Sequence, residues 1–141
     1  MDDARHRDEG GRIRREVLGA DYVAAARART TAFTADFQDL ITRYAWGDVW
    51  ARPGLDRRTR SVVTLTALVA HGHLAELELH LRGALRNGLS RAEIAEVLLH
   101  TAVYCGVPAA NAAFATASQV FAELDEQDTP PEATPSEGDQ A

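Results

Sequence analysis

Apolar residues recur along this chain at three- and four-residue spacing, and nowhere do they alternate as they would in a strand. Ile13 to Leu18 and Tyr22 to Arg29 read as short helical pieces separated by Gly19. Thr34 to Trp46 follows, with Phe37, Leu40, Ile41 and Tyr44 on one side and Asp36 near its start, where a negative charge suits the helix dipole. Trp50 to Leu55 is a turn, because Pro53 and Gly54 together stop a helix. Asp56 can cap the next helix, in which Val62, Val63, Leu65, Thr66, Leu68 and Val69 are apolar nearly all round. That pattern predicts burial in the core or at a subunit interface. Gly72 ends it.

Leu74 to Arg86 carries Leu74, Leu77, Leu81 and Leu85 along one face, and Asn87-Gly88 closes it. Ser90-Arg91-Ala92-Glu93 fits a capping box opening a helix whose stripe is Ile94, Val97, Leu98 and Thr101. Gly106-Val107-Pro108 interrupts, and Ala109 to Leu124 forms the last helix around Phe114, Ala117, Val120, Phe121 and Leu124. The expectation is an all-α, compact bundle of five to six helices. The body spans 12–124, between a flexible N-terminus over 1–11 and a disordered acidic tail over 125–141, where three prolines and many acids leave little to bury.

Charge and cysteine content narrow the function. The formal charge is −6, but the surplus acid sits at the two ends, and the body between them is slightly basic. That balance lacks the clustered positive charge that nucleic acid requires, so small anions are the better partners. Leu89 to Ala95 superficially resembles part of a helix-turn-helix, but Arg91 is its only base. No apolar run approaches the roughly 20 residues of a membrane span, and Met1 to Gly11 holds no signal-peptide core, so a cytoplasmic location without membrane contact is expected. All fifteen basic residues are arginine, which excludes Schiff-base chemistry at lysine. Cys105 is the only cysteine, so there is no internal disulfide and no redox pair; read plainly, it is a small buried apolar residue.

Several polar groups could carry chemistry. Glu76 and His80 stand at i, i+4, a spacing that puts carboxylate and imidazole on one helix face, where the carboxylate would orient the ring and raise its pKa. The plain alternative is a solvated or interface ion pair. His73, Glu76 and His80 also have ligand-compatible spacing, though such trios arise readily by chance. Glu96, His100 and Tyr104 form a second ladder, equally readable as an ordinary polar face, and His71 suits a helix C-terminus. Arg52, Arg57, Arg58 and Arg60 cluster around the Trp50–Pro53 turn with Trp46 nearby. Arginine forks bind carboxylates and an indole can wall a flat ring, but a surface loop with ordinary ion pairs has the same look.

Taken in order, these segments resemble the 4-carboxymuconolactone decarboxylase family. The run from Trp46 through Gly47-Asp48-Val49-Trp50-Ala51-Arg52-Pro53-Gly54-Leu55-Asp56-Arg57-Arg58-Thr59-Arg60 to Ser61 carries the most specific likeness. Glu76-Leu77-x-Leu79-His80-x-Arg82, Asn87-Gly88, Glu93-Ile94-x-Glu96-Val97-Leu98-Leu99-His100 and Tyr104-x-Gly106-Val107-Pro108-Ala109-Ala110-Asn111 add to it. So does Arg14-Arg15-Glu16-Val17-Leu18-Gly19 at the start. The wider superfamily of alkyl-hydroperoxidase D-like proteins uses a CxxCxxxH arrangement on a helix. Here the matching positions are His73-x-x-Glu76-x-x-x-His80, with neither cysteine, so thiolate peroxide reduction is excluded.

The resemblance implies an alkyl-hydroperoxidase D-like helical fold and decarboxylation of 4-carboxymuconolactone to β-ketoadipate enol-lactone in protocatechuate breakdown, with no cofactor and no metal. It implies His80, oriented by Glu76, as proton donor or oxyanion partner. Arg52 with Arg57 or Arg60 would hold the carboxylates of a small anionic lactone, and Trp46 or Trp50 would wall its ring. His100 and Tyr104 are secondary candidates. It also implies self-association, as a homohexamer whose pockets can be shared between subunits. Two alternatives remain open from the residues: an enzyme of the same superfamily acting on another lactone or acid, and a non-catalytic helical oligomer that binds a small aromatic acid.

Overall fold

The computed structural model describes residues 2–129, and among these every regular element is helical. Seven α-helices follow one another: α1 (Asp3–Leu18), α2 (Ala20–Ala28), α3 (Ala35–Ile41), α4 (Arg57–His71), α5 (Leu74–Arg86), α6 (Arg91–Tyr104) and α7 (Val107–Asp128). A π-helical segment, Thr42–Trp50, continues directly from α3. The α-helices number seven rather than five to six, because the short pieces on either side of Gly19 are two separate helices, α1 and α2, and the Thr34–Trp46 pattern ends as an α-helix at Ile41 and runs on as the π-helical segment.

The ends of the elements are set by local chemistry. Asp56 accepts the Thr59 amide at 2.7 Å to open α4, and Gly72, left-handed at φ 70°, closes it. Ser90 and Glu93 make the reciprocal capping box that opens α6. Gly19, at φ 94°, supplies the break between α1 and α2.

Two expectations about the ends are corrected. The chain is helical from Asp3 rather than loose to residue 11, because Asp2 caps α1 and Gly10 is buried where the helix meets the π-helical segment. Toward the other end α7 continues to Asp128 rather than stopping at Leu124, held in part by a forked pair between Arg91 and Asp125 at 2.8 and 3.2 Å. The remainder of the expected acidic tail, 130–141, lies outside the described residues.

The core has two parts. Leu65 and Val69 of α4, Leu77, Leu81 and Ala84 of α5, Ile94 and Leu98 of α6, and Ala113, Ala117 and Val120 of α7 form the larger cluster. Each large side chain there is worth roughly 1.5–3 kcal/mol of burial. The smaller cluster gathers Ile13, Val17 and Leu18 of α1, Val23 of α2 and Trp46 of the π-helical segment, with Leu79 of α5 packed against it. Helix α5 therefore joins the two: its leucine stripe enters the large cluster, while Leu79 turns toward the small one. Helix α4 is less enclosed than its composition suggests. Leu65 and Val69 are buried, whereas Val63 is 57% exposed.

Candidate active site

The π-helical segment determines what surrounds His80. Its wider turn is marked by the Ala51 amide, which bonds the Trp46 carbonyl five residues back at 3.1 Å. Trp46 and Trp50 stack on each other within it, with ring centroids 5.1 Å apart and planes 25° from parallel. His80 comes up from α5 to join them. Its ring is 6.2 Å from Trp46 with 8° between planes, and 6.4 Å from Trp50 with 17°. Three flat rings, two from one element and one from another, thus share a single orientation. Trp46 is buried; Trp50 and His80 are half-buried and form the part of the cluster that a ligand can approach.

Burial beside the indoles pushes the His80 pKa below its ordinary value, and the charge of Glu76 opposes that shift without reversing it. This corrects the expected direction. Glu76 is exposed, and no hydrogen bond or ion pair joins it to His80 among the described residues, so its influence is through-space and weakened by solvent. The imidazole is accordingly neutral at pH 7, presenting one N–H donor and one acceptor nitrogen.

The arginines separate by what they already hold. Arg57 reaches back to α1 and pairs with Glu16 at 2.6 Å. Arg58 bonds the Gly88 carbonyl and the Glu93 carboxylate, a structural clamp between α4 and the start of α6. Among the described residues Arg60 has no acidic partner: one terminal nitrogen bonds the Arg52 carbonyl at 3.0 Å, and its buried Nε has none. That carbonyl contact ties Arg60 to the turn carrying Arg52, whose own side chain is exposed.

His100 and Tyr104 are not brought to this cluster within one chain. They face each other across 5.1 Å on an exposed part of α6, where Tyr104 is 78% exposed. His73 instead faces His71, with ring centroids 5.7 Å apart. The potential trio of His73, Glu76 and His80 does not converge, and no group of three or more metal-binding side chains assembles among the described residues. Cys105 is half-buried against the larger core cluster. Among the described residues no helix is long and apolar enough to cross a membrane.

The sequence pattern missed the glycines that make the site possible. Gly10 and Gly47 lie where α1 and the π-helical segment touch, and Gly10 sits in a helix interior, where glycine is otherwise costly. That misplacement was the available signal.

Known proteins are similar to this chain in sequence. A 4-carboxymuconolactone decarboxylase from Acinetobacter baylyi is 44% identical over 124 residues, 88% of this chain and 92% of that protein. A nitrosuccinic acid decarboxylase from Metarhizium robertsii is 52% identical over 101 residues, 72% of this chain and 71% of that one. A 4-carboxymuconolactone decarboxylase sequence from Pseudomonas putida is 40% identical over 48 residues, which is 34% of this chain and the whole of that sequence. Residues 35–119, from the first turn of α3 to the middle of α7 and including the three stacked rings, match the carboxymuconolactone decarboxylase family, and the chain belongs to it.

Proposed function

We propose that this protein is a carboxy-lyase that converts 4-carboxymuconolactone to β-ketoadipate enol-lactone, a step of protocatechuate breakdown. The observation that carries this reading is the Trp46–Trp50–His80 stack, a flat, half-buried surface ending in a neutral imidazole. It stands in a chain 44% identical to a 4-carboxymuconolactone decarboxylase over 92% of that enzyme's length.

The substrate supplies its own electron sink. As the bond from the γ-carbon to the carboxylate breaks and CO2 leaves, the electron pair forms a β,γ double bond. The former α,β pair moves toward the α-carbon and the lactone carbonyl, and one proton added at the α-carbon completes the product. The protein has to position the lactone, stabilise the developing oxyanion and deliver that proton. In this reading the His80 N–H faces the lactone oxygen and relays the proton, while Glu76 tunes the ring's charge from a distance. Trp46 and Trp50 wall the ring, and their apolar faces favour loss of a carboxylate's charge. Arg60, which has no acidic partner among the described residues, suits a substrate carboxylate, with Arg52 beside it. Arg57 can take that role only by giving up Glu16.

The same reading makes the protein a homohexamer. Phe33, Phe37, Val63, Val103, Tyr104 and Val107 are each more than half exposed on a single chain, more apolar surface than an isolated domain usually leaves open. His100 and Tyr104 then contribute to a pocket from a neighbouring subunit.

The 52% identity to a nitrosuccinic acid decarboxylase favours a second reading, in which the acid is not a lactone. There the nitro group would accept the electron pair that the lactone carbonyl accepts above. Purified protein, with a chelator and without added cofactor, should be mixed separately with 4-carboxymuconolactone and with nitrosuccinate and followed by NMR. Fast formation of the enol-lactone upholds the first reading. Turnover of nitrosuccinate alone replaces it with the second, and saturable binding without product from either leaves a non-catalytic binder.

A further inference from the structure

Between α1, α2, α3 and the first residue of the π-helical segment lies an open cleft of about 690 Å³. None of the residues assigned to the decarboxylase site lines it. Its wall is rich in guanidinium groups, including Arg14, Arg15 and Arg27. Of the two carboxylates there, Asp39 is already held by Arg7 and Arg43. Asp8 is exposed and is the remaining negative group on the lining.

Arg14 is the unusual member. It is half-buried and its Nε is inaccessible; among the described residues that Nε has no hydrogen-bond partner, and the one side-chain bond is a long one, 3.3 Å, to the neutral amide oxygen of Gln38. Burial, together with repulsion from Arg27, lowers its pKa. Arg15 and Arg27 have no ion pair among the described residues. Thr30 and Thr42, also on the lining, spend their hydroxyl hydrogens on the Ala26 and Gln38 carbonyls at 3.1 and 2.8 Å. The guanidinium groups are therefore the free donors, and a buried donor without a partner is a cost that an acceptor removes.

We propose that this cleft binds a small dianionic oxyanion, a dicarboxylate or a phosphate, with Arg14 as its inner contact and Arg15 and Arg27 completing the charge. This inference does not rest on the decarboxylase reading, since the cleft shares no residue with that site.

The test is calorimetric titration of the full-length protein at low ionic strength with sodium succinate and, separately, inorganic phosphate. One saturable site per chain is expected for at least one of them, and which one binds identifies the ligand class. Arg14→Gln should weaken that binding by about tenfold or more, and Arg27→Gln, at an exposed position tolerant of substitution, by several-fold. Arg29→Gln, outside the cleft, should leave it unchanged. If Arg14→Gln does not fold, Arg27→Gln decides. The proposal is overturned if neither anion saturates, or if binding is indifferent to Arg14 and Arg27, as succinate held near His80 would be. It is also overturned if the substitutions change only the sedimentation coefficient, which would make Arg14 a contact between subunits.

Discussion

Gly10 of α1 and Gly47 of the π-helical segment meet backbone against backbone. A methyl built on Gly10 would fall 2.8 Å from the Gly47 nitrogen, and one built on Gly47 would fall 2.5 Å from the His6 carbonyl oxygen. Neither obstacle is the movable end of a side chain, so the elements themselves would have to separate. Beside them His6 and Asp48 approach to 3.4 Å, a second link across the same junction. This contact holds the preceding residue, Trp46, in the smaller core cluster and so fixes one wall of the ring stack.

Gly47→Ala should therefore lower stability by about 1–3 kcal/mol, the usual cost of overpacking. It should also reduce turnover beyond what stability explains, because it displaces Trp46 and Trp50. Urea unfolding gives the first quantity, and kcat measured well below the transition gives the second. A variant as stable and as active as the parent would show that the junction can open without consequence.

His80 provides a pH prediction with a definite sign. Its native pKa lies below the ordinary histidine value. Well above about pH 6.5 the ring is uncharged in both folded and unfolded chains and contributes no slope. Below about pH 6.5 the unfolded chain takes a proton that the native ring resists, so stability declines until the native ring protonates as well. Activity needing the neutral ring should have an acidic limb in the same range. Glu76→Gln removes the group that opposes the shift, so both the NMR titration of His80 and the acidic limb should move to lower pH. His80→Ala should keep the helical circular dichroism spectrum and reduce turnover to below about a tenth of the parent. Retained turnover above that level would remove His80 from the chemistry.

How far the chain could be read without coordinates depended on whether each cause was local. Asp56, Ser90 with Glu93, and Asn87-Gly88 act on amides or dihedral angles a few residues away, so their caps were legible. The π-helical segment was not, because a five-residue hydrogen-bond step has no side-chain signature and follows from packing of Gly47 on α1. The direction of the His80 shift was hidden for a related reason. Glu76 was visible one turn away, but the opposing burial comes from tryptophans some thirty positions earlier. The arginine cluster was visible as a cluster, while the division of labour within it depended on Glu16 and Gly88, which sequence spacing does not connect to it.

That division predicts unequal effects on substrate binding. Arg60→Gln removes a guanidinium with no acidic partner among the described residues and should raise KM about tenfold, the equivalent of one charge-assisted hydrogen bond to a carboxylate. Arg57→Gln mainly releases Glu16 and should raise KM by no more than about threefold. Steady-state kinetics of the two variants provide the comparison. A larger effect at Arg57 would mean that it leaves Glu16 when substrate arrives.

The Arg58–Glu93 clamp is testable by titration alone. Arg58, with the Ser90 amide, holds the Glu93 carboxyl down to about 2. Because the native value is depressed, the stability this group contributes is present above the ordinary carboxylate range and disappears as pH falls toward about 2. In Arg58→Met the largest cause is gone, so carboxyl-detected NMR should show Glu93 titrating well above 2 while the Ser90 cap keeps it below an unperturbed glutamate. The variant's thermal midpoint should approach the parent's as pH is lowered through the same window. An unchanged Glu93 titration would mean that the cap alone sets it.

The last prediction concerns assembly. Leu99, Val103, Tyr104 and Val107 lie close together along the chain at the α6–α7 corner, from 53% to 78% exposed. A single charge placed among them would be buried without a partner if this corner is covered by another subunit. Sedimentation of the parent should give a hexamer, and Val103→Glu a smaller species with unchanged helix content. Because His100 and Tyr104 stand on the same corner, a pocket shared between subunits requires activity to fall with dissociation. Full activity in the dissociated variant would confine the site to the Trp46–Trp50–His80 face of one chain, and a monomeric parent at micromolar concentration would remove the hexamer altogether.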